Sequence, residues 1–336
     1  MRTYTIETAE GTVRLTGRPE PQPASGQIRV DVKAVSLNFR DLILVRGRPG
    51  APALSGVIAC SDGAGVVSAV GAGVTVFAPG DKVCGTFFQD WESGTLTPQR
   101  WATALGGSLD GMLAEQVLLR ERGAVRVPSH LSFEEAACLP CAAVTAWHAL
   151  IERANLRPGQ TVLLLGTGGV STFGLQIATA SGARVIMTSS SDAKLERARA
   201  MGADATVNYR THPEWSKRVL ELTDGRGVDA TLEVGGPGTF PQSIAATRMA
   251  GTIAVIGALE TGEGSIHPAQ IFGKSLRLHG IYVGSREMFR DLNAFLEVNA
   301  IKPVIDRVFD FDEAPSAYEY VASGSHFGKV VIRGAG

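Results

Sequence analysis

The protein has 336 residues, of which 44% are hydrophobic and 19% are charged, and its formal net charge is -1. A chain of this length is expected to fold into about two domains, and its apolar content excludes a disordered or coiled-coil protein. The near-zero charge provides no basic field for nucleic acid or anionic lipid, so the expected partners are small molecules or a second copy of the chain.

The first residues, MRTYTIETAEG, lack the apolar region and the cleavage site of a signal peptide. No apolar run approaches the roughly 18 residues of a membrane span. We therefore expect a cytoplasmic protein without a membrane partner. Four cysteines are too few for a disulfide scaffold in a chain of this length, and Cys138 and Cys141 form a CxxC without a second pair of ligands. This pattern favours a buried structural role for them over redox or metal chemistry.

Residues 1–127 predict a β-barrel domain, because short alternating strands are broken there by glycine and proline. The clearest strands are QIRVDVKAVSL (27–37), DGAGVVSAVG (62–71) and GDKVCGTFF (80–88).

Residues 128–285 change to apolar strands separated by helical stretches, which indicates a doubly wound parallel sheet. The tail, 286–336, reads as helix, strand, helix and a final strand, and we expect it to return to the barrel domain. The six strand candidates of the parallel sheet are TVLLLG (161–166), ARVIMTS (183–189), ATVNY (205–209), VDATLEVG (228–235), GTIAVIG (251–257) and LRLHGIYVG (276–284).

A glycine-rich turn follows the first strand of this sheet, in VLLLGTGGVSTFG. Its glycines permit a tight turn and let backbone N–H groups approach a pyrophosphate at the positive end of the following helix. Ser171 stands where the third glycine of GxGxxG would be. An ordinary strand-to-helix turn is the alternative, but the surrounding strands and helix predict a dinucleotide site. Its predicted cofactor-binding residues are Gly166, Thr167, Gly168, Gly169 and Val170.

The end of the second strand predicts the choice of cofactor, because an NAD enzyme places an acidic residue there to bind the ribose. This chain instead has hydroxyls at Ser189 and Ser190, followed by Lys194. Each charge-assisted hydrogen bond contributes roughly 1.5–3 kcal/mol, so NADPH should be preferred over NADH by about one to two orders of magnitude. In the alternative, Ser190 and Ser191 cap the helix and Asp192 replaces the missing acid.

The order of barrel, parallel sheet and returning tail resembles the medium-chain dehydrogenase/reductase superfamily along essentially the whole chain. The resemblance implies an α/β protein with a GroES-like catalytic domain (1–127), a Rossmann NADP-binding domain (128–285) and a return to the catalytic domain (286–336). The motifs that carry it are DGAGVVSAVG with GDKV, LPCAAVTAW, GTGGV, GRGVD and FGKVVI.

Zinc alcohol dehydrogenases of this superfamily carry a catalytic cysteine in the segment that reads SLNFRD here, and a GHE motif where this chain reads CSDGAG. Asn38 matches the first position, and Ser61 with Asp62 matches the second. The four-cysteine structural zinc lobe is also missing. The chain therefore resembles the zinc-free, quinone oxidoreductase-like branch, and the resemblance implies that no metal is bound.

In that branch, the residues matched by Asn38 and Asp41 lie beside the nicotinamide and are the predicted catalytic residues. A tyrosine found shortly after them in some relatives has no counterpart in RGRPG (46–50). The alternative is that Asn38 and Asp41 only form a turn, because Asn and Asp side chains readily hydrogen-bond to their own backbone.

The resemblance also implies cofactor contacts outside the glycine-rich turn. Thr145 and Gly257 would flank the nicotinamide ring. Tyr209 would pack near the adenosine 2'-phosphate, with Arg210 as a further charge, and Lys329 would reach the cofactor from the returning tail. For Tyr209 and Lys329 the alternative is an exposed residue at a strand end.

An aromatic cluster after the GDKV strand is predicted to line an apolar substrate pocket, although a plain hydrophobic core is an alternative. The predicted pocket residues are Phe87, Phe88, Trp91 and Tyr282.

The predicted function is hydride transfer from NADPH to quinones, enones or related activated alkenes. A zinc-independent alcohol or carbonyl dehydrogenase, and an NADPH-binding regulatory or structural protein with little catalysis, are the alternatives. The edge strand LRLHGIYVG favours a homodimer.

Overall fold

The computed structural model describes residues 1–47, 54–257 and 267–335. The chain divides into a first domain, Met1–Val144 with Val283–Gly336, and a second domain, Thr145–Tyr282. The boundary between the two domains at Val144 lies later in the chain than residue 128, where the sequence pattern changes from barrel strands to alternating strands and helices. The segment after residue 128 belongs to the first domain because its helix, Phe133–Ala137, packs on strands of the barrel.

The first domain opens with a two-stranded antiparallel pair and continues into the main barrel sheet. The longest strand, β3, has inward-facing residues that alternate with partly exposed ones, as a strand with one face on a core requires. β3 pairs antiparallel with β4 and with β6. The elements are β1 (Arg2–Glu7), β2 (Thr12–Gly17), β3 (Gln27–Leu37), α1 (Phe39–Arg46), β4 (Asp62–Val70), β5 (Lys82–Gly85), α2 (Pro98–Trp101), β6 (Gln116–Arg120), β7 (Ala124–Arg126) and α3 (Phe133–Ala137).

Helical structure continues into the second domain through α4 (Val144–Trp147), flanked by π-helical turns at Leu139–Ala143 and His148–Arg153. The second domain then alternates strands with helices. Its elements are β8 (Thr161–Leu164), α5 (Gly169–Ala180), β9 (Arg184–Ser189), α6 (Asp192–Ala200), β10 (Ala205–Asn208), α7 (Trp215–Glu221), β11 (Val228–Glu233), α8 (Phe240–Ala246), β12 (Thr247–Val255), α9 (Pro268–Phe272) and β13 (Arg277–Gly280).

All six strands of the second domain are parallel, and their order across the sheet is β10-β9-β8-β11-β12-β13. This is the strand order of the Rossmann fold, so the predicted fold class is confirmed. The direction of winding reverses between β8 and β11. Ligands of open α/β sheets bind at this position, beyond the carboxyl ends of the strands.

The tail adds α10 (Arg286–Val298), β14 (Ile305–Phe309), α11 (Ala314–Ala322) and β15 (Lys329–Arg333) to the first domain. β15 lies between β14 and β3, and it pairs antiparallel with β3 so that Val330 is opposite Leu37. The first domain thus contains sequence from both ends of the chain. Within the described ranges, every helix is too short or too polar to cross a membrane.

Candidate functional site

The glycine-rich turn between β8 and α5 has the backbone that a phosphate site requires. Gly166 has a φ of +71°, a conformation that side chains rarely adopt. Gly168 is the N-cap of the twelve-residue α5, and a Cβ added to it would meet no described atom within 4 Å. The first N–H groups of a helix lack partners within the helix, so this turn presents donors and the positive end of the helix dipole to open space. These residues fit the pyrophosphate of a dinucleotide.

Ser171 and Gly174 fix how α5 packs on the sheet. Ser171 is buried, and its hydroxyl donates to the carbonyl of Leu165 at 2.6 Å. The helix also approaches the sheet closely at Gly174, where an added Cβ would lie 3.0 Å from methyl groups of both Leu164 and Leu232. The sequence analysis missed Gly174, although its position three residues after Ser171 on the same helix was a usable signal.

The hydroxyl residues after β9 are divided between backbone contacts and helix capping. The Thr188 hydroxyl accepts from Gly166 N at 3.4 Å, which ties the glycine-rich turn to β9. The N-cap of α6 is Ser191, whose hydroxyl accepts from Lys194 N at 3.4 Å. Asp192 accepts from the side chain of Asn208 at 2.7 Å. Of the alternative interpretation, in which these residues cap the helix and Asp192 replaces the missing acid, the capping is present at Ser191. Asp192 is hydrogen-bonded to Asn208 at the end of β10.

The remaining cofactor residues predicted in the second domain lie at strand ends. Tyr209 is 41% exposed, and its backbone N–H donates to Ser189 at 3.1 Å, which places it beside the end of β9. Thr145 is buried. Gly257 cannot be replaced without displacement, because an added Cβ would lie 2.7 Å from the carbonyl oxygen of Val234. Contacts of these residues with a cofactor stay predictions.

Glu233 at the end of β11 is an organising residue that the sequence analysis missed. It is fully buried, and its Oε1 accepts from the backbone N–H groups of Gly235 at 2.8 Å and Gly236 at 3.0 Å. The hydroxyls of Thr239 and Ser243 also donate to the carboxylate. Glu233 thus shapes the loop beyond β11, where the winding reverses. The signal in the sequence was the segment EVGG (233–236), in which an acidic residue ends an apolar strand just before two glycines.

Asn38 and Asp41 join the end of β3 to α1 in the first domain. Asn38 is the N-cap of α1, and its backbone N–H donates to Asp41 Oδ2 at 2.8 Å. The local turn that we gave as the alternative is therefore present. Burial of Asp41 raises its pKa to about 6, although the charge of Arg40 opposes this. The catalytic role of both residues stays a prediction, and RGRPG lies mostly outside the described residues.

Lys329, the first residue of β15, lies beside Asn38. Its side chain is buried, with 2% of the residue exposed, so the alternative of an exposed strand-end residue is wrong. Nζ donates to the carbonyl of Leu37 and to Asn38 Oδ1, each at 2.6 Å. The predicted contact of Lys329 with the cofactor stays a prediction.

Asp62 completes this cluster from the start of β4. Its carboxylate is fully buried and accepts from the Ser61 hydroxyl at 2.8 Å and from Cys141 N at 3.0 Å. Burial raises the pKa of Asp62, and the ammonium of Lys329 opposes that effect. Cys60, immediately before Ser61, has a φ of +68°, an uncommon conformation that turns the chain into β4.

The residues at the positions that match the zinc ligands of the superfamily, Asn38, Ser61 and Asp62, are a poor donor set for zinc. Zinc in proteins is bound by thiolate, imidazole and carboxylate. Here the Asn38 oxygen is occupied by an ammonium group, and a second cation beside Lys329 would be repelled. No three His, Cys, Asp or Glu side chains in the described part of the chain are placed to hold a metal ion together.

The two cysteines of the CxxC differ in hydrogen bonding, but the pKa of both thiols is raised. Cys138 Sγ donates to the carbonyl of Glu134 at 3.2 Å, and burial raises the pKa of Cys138 to about 12. Burial also raises the pKa of Cys141. Raised pKa values favour the thiol over the thiolate, which is the form that reacts in redox chemistry and binds metals, and they therefore favour the structural role.

The aromatic cluster after β5 is buried. Phe87, Phe88 and Trp91 are each at most 2% exposed, and their successive ring centroids are 4.7 and 5.7 Å apart. Arg40 stacks on the ring of Phe87, with its guanidinium carbon 4.5 Å from the ring centroid. This burial favours the core alternative for the three rings. Tyr282, in contrast, is 45% exposed.

The glycine-rich turn, the Rossmann sheet and the barrel domain together define a dinucleotide-dependent oxidoreductase. Residues 24–129 match the family model described as alcohol dehydrogenase GroES-like domain, and residues 169–298 match the one described as zinc-binding dehydrogenase. The chain belongs to the medium-chain dehydrogenase/reductase superfamily, among the proteins that resemble zinc-type alcohol dehydrogenases.

Three relatives illustrate the range of this similarity. The zinc-type alcohol dehydrogenase-like protein C1773.06c of Schizosaccharomyces pombe is 45% identical over 315 residues, covering 92% of this chain and 91% of the relative. Acryloyl-coenzyme A reductase of Metallosphaera sedula is 30% identical over 331 residues, covering 93% and 94%. The crystal structure of a putative alcohol dehydrogenase from Sinorhizobium meliloti has a TM-score of 0.92 and 42% identity, covering 99% and 98%.

Proposed function

We propose that this protein is an NADPH-dependent, zinc-independent reductase that transfers hydride to quinones, enones or related activated alkenes. The observation that carries the proposal is the ammonium of Lys329, which binds the side chain of Asn38 where zinc members of the superfamily hold a metal ligand. Without a metal, developing negative charge on the substrate must be stabilised by hydrogen bonds. An enolate spreads that charge and needs less stabilisation than an alkoxide, so conjugate reduction is the easier reaction.

The cofactor part of the proposal depends on the second domain. The backbone from Gly166 to Val170 would bind the pyrophosphate at the start of α5. Ser189, Ser190 and Lys194 would bind the 2'-phosphate, because hydroxyl and ammonium groups donate to it without charge repulsion. Bound NADPH supplies the hydride that reduces the β-carbon of the alkene.

The first domain would stabilise the substrate oxygen. Asn38 would donate an N–H to that oxygen as it becomes an enolate. Asp41 would hold the backbone of Asn38 through its hydrogen bond to the Asn38 N–H, and solvent would deliver the proton to the α-carbon.

Similarity to acryloyl-coenzyme A reductase supports alkene reduction, because an acryloyl group is an alkene conjugated to a thioester. Similarity to proteins described as alcohol dehydrogenase-like favours the second candidate, carbonyl reduction by a zinc-independent enzyme. The two candidates share the cofactor site and differ in the bond that receives hydride.

An anaerobic substrate panel that follows the absorbance of NADPH tests the proposal. Enones and quinones should be reduced faster than matched saturated aldehydes and ketones. Faster reduction of the saturated carbonyl compounds would establish the second candidate. Tight NADPH binding without reduction of any compound would indicate a regulatory or structural protein.

We also propose a homodimer formed through β13. This strand lies at the edge of the Rossmann sheet and pairs only with β12 among the described strands. Met249 of the adjacent β12 and Phe272 at the end of α9, before β13 in the chain, are 66% and 72% exposed. Sedimentation equilibrium would reveal a dimer, and a Leu278→Pro variant, which removes a backbone N–H from the edge strand, should weaken it.

A further inference from the structure

Lys329 is an unusual residue for the interior of a barrel, because a buried ammonium is costly unless it is paired. The register of β15 against β3 brings it beside Leu37 and Asn38, where Nζ makes its two 2.6 Å hydrogen bonds. The charge of Lys329 also acts on Asp62 across the cluster. The buried cation therefore lies beside the Asn38 carboxamide, and its charge acts on two buried carboxylates, Asp41 and Asp62.

These neighbours determine which way the Asn38 carboxamide faces. An ammonium group has only donors, so the atom of the carboxamide that faces Lys329 must be the oxygen. The N–H2 group then points away from Lys329. Asn38 lowers the pKa of Asp62, which indicates that the nitrogen lies on the side of that carboxylate, although burial and Lys329 have larger effects on it. Lys329 and Asp62, with opposite charges, favour the same orientation.

The nitrogen of this carboxamide has capacity for a further hydrogen bond. Asn38 Nδ2 is buried and makes no hydrogen bond of ordinary geometry, and its weaker polar contact with the Asp62 carboxylate is the interaction through which Asn38 lowers the pKa of Asp62. A buried N–H group without an acceptor is costly, and an acceptor supplied by a ligand would remove that cost. The amide carries two N–H bonds, so a substrate oxygen can be bound even with one directed toward Asp62.

We propose that Lys329 is a positioning residue that fixes the Asn38 carboxamide, with its N–H2 group rather than its oxygen presented to the substrate. The inference rests on the proposed function, in which Asn38 donates to the enolate oxygen. A neutral residue at 329 would let the carboxamide rotate and present oxygen lone pairs to a developing anion. The ammonium of Lys329 thus orients Asn38, the residue at the position that matches a zinc ligand of the superfamily.

A double-mutant cycle tests this role. Asn38→Ala should lower kcat for an enone by about 100- to 1,000-fold, the effect of removing one oxyanion donor. Lys329→Met should lower kcat at least about tenfold by the same mechanism. If Lys329 acts through Asn38, the double variant should be no slower than Asn38→Ala alone. Equal losses from Lys329→Met in both backgrounds, or an unchanged kcat in the single variant, would overturn the inference.

The NADPH dissociation constant distinguishes positioning from cofactor binding. It should be unchanged in Lys329→Met, whereas weaker NADPH binding at an unchanged kcat would make Lys329 a cofactor residue. Lys302→Met is the matched control, because Lys302 is an exposed lysine of the same domain that pairs with Glu135 at the surface. Its kcat and NADPH affinity should equal those of the wild type.

Removal of a buried cation can also impair folding, so a charge-balanced variant is needed. Lys329→Met with Asp62→Asn removes one positive and one negative charge, and circular dichroism would check that it folds. Its kcat should remain low because the carboxamide is no longer oriented. A folded double variant with wild-type kcat would contradict the positioning role.

A measurement without substrate separates this inference from the proposed function. The side-chain N–H2 signals of Asn38, identified by their loss in Asn38→Ala, should exchange slowly with solvent in the wild type and faster in Lys329→Met. Faster exchange in a protein that reduces no enone would refute the function but support the orienting contact. Equal exchange in both proteins would refute the contact itself.

Discussion

At the scale of single residues, the hydroxyls beyond β9 are predicted to determine the preference for NADPH. Ser190→Asp would place a carboxylate next to the 2'-phosphate and remove a hydroxyl donor. We expect kcat/KM for NADPH to fall by about 10- to 100-fold, since loss of a charge-assisted bond costs roughly 1.5–3 kcal/mol. The value for NADH should change little or improve.

Steady-state kinetics with both cofactors would measure this change. Ser325→Asp, on the exposed loop before β15, introduces the same charge in the first domain and should leave both values unaltered. An unchanged ratio of NADPH to NADH efficiency in Ser190→Asp would contradict the assignment of the phosphate site.

Individual residues also show what the sequence could reveal about the site. The glycine-rich turn was predictable, because residues that are adjacent in the sequence determine its conformation between a strand and a helix. The environment of Lys329 was not, because its neighbours Leu37 and Asn38 are almost the whole chain away and the strand pairing determines them. Burial of Phe87 and Phe88 likewise depends on how the barrel closes around them.

At the scale of elements, the packing of α5 on the sheet requires a glycine at position 174. Gly174→Val would force side-chain carbons against Leu164 and Leu232, which already lie at the limit of contact with an added Cβ. Overpacking of this kind lowers the free energy of unfolding by about 1–3 kcal/mol.

Thermal unfolding followed by circular dichroism would detect the change as a lower midpoint. Gly17→Val is the control, because Gly17 ends the exposed side of β2 and an added Cβ meets nothing within 4 Å. Equal midpoints for the two variants would show that α5 tolerates the larger residue.

The ion-paired Asp229 at the start of β11 is predicted to make stability depend on pH. Asp229 accepts from Thr161 N and from the side chains of Arg226 and Arg248. Burial of Asp229 opposes its ionisation, but these donors outweigh burial and lower its pKa to about 2. Because the folded pKa is depressed, the stabilisation of about 2 kcal/mol is complete above the unfolded pKa near 4 and disappears as pH falls toward 2.

Asp229→Asn should therefore lower the thermal midpoint at pH 7 and have a smaller effect at pH 3. Asp224→Asn, in the turn before β11, is the control for loss of an exposed carboxylate. The same loss of stability for Asp229→Asn at both pH values would contradict the ionic origin of the effect.

At the scale of the whole molecule, the sequence predicted the fold of both domains and the six strands of the parallel sheet, whose order across the sheet is given by the structure. Regular alternation of apolar strands and helices indicates a parallel sheet, and short right-handed crossovers leave only a few strand orders for it. The domain boundary was harder to predict from the sequence. The α3 segment has the helical pattern that is typical of the second domain, but it packs on strands of the first domain. Local periodicity identifies an element and does not identify the sheet that it covers.

Activity of the whole enzyme should be independent of zinc. Elemental analysis of the purified protein should find less zinc than one ion per chain, and dialysis against a strong chelator should leave the rate of enone reduction unchanged. An unrelated zinc alcohol dehydrogenase treated in parallel should lose its activity. Stoichiometric zinc whose removal abolishes turnover would refute the zinc-independent mechanism.

The position of β15 between β14 and β3 has a consequence for biosynthesis. The second domain is one continuous stretch of sequence and can fold as soon as it leaves the ribosome, whereas the first domain must wait for its last strand. Until then β3 has an open edge, and Asp62 and Asn38 lack the ammonium of Lys329. The nascent chain can thus form its Rossmann domain before the cluster of Asn38, Asp62 and Lys329 is complete.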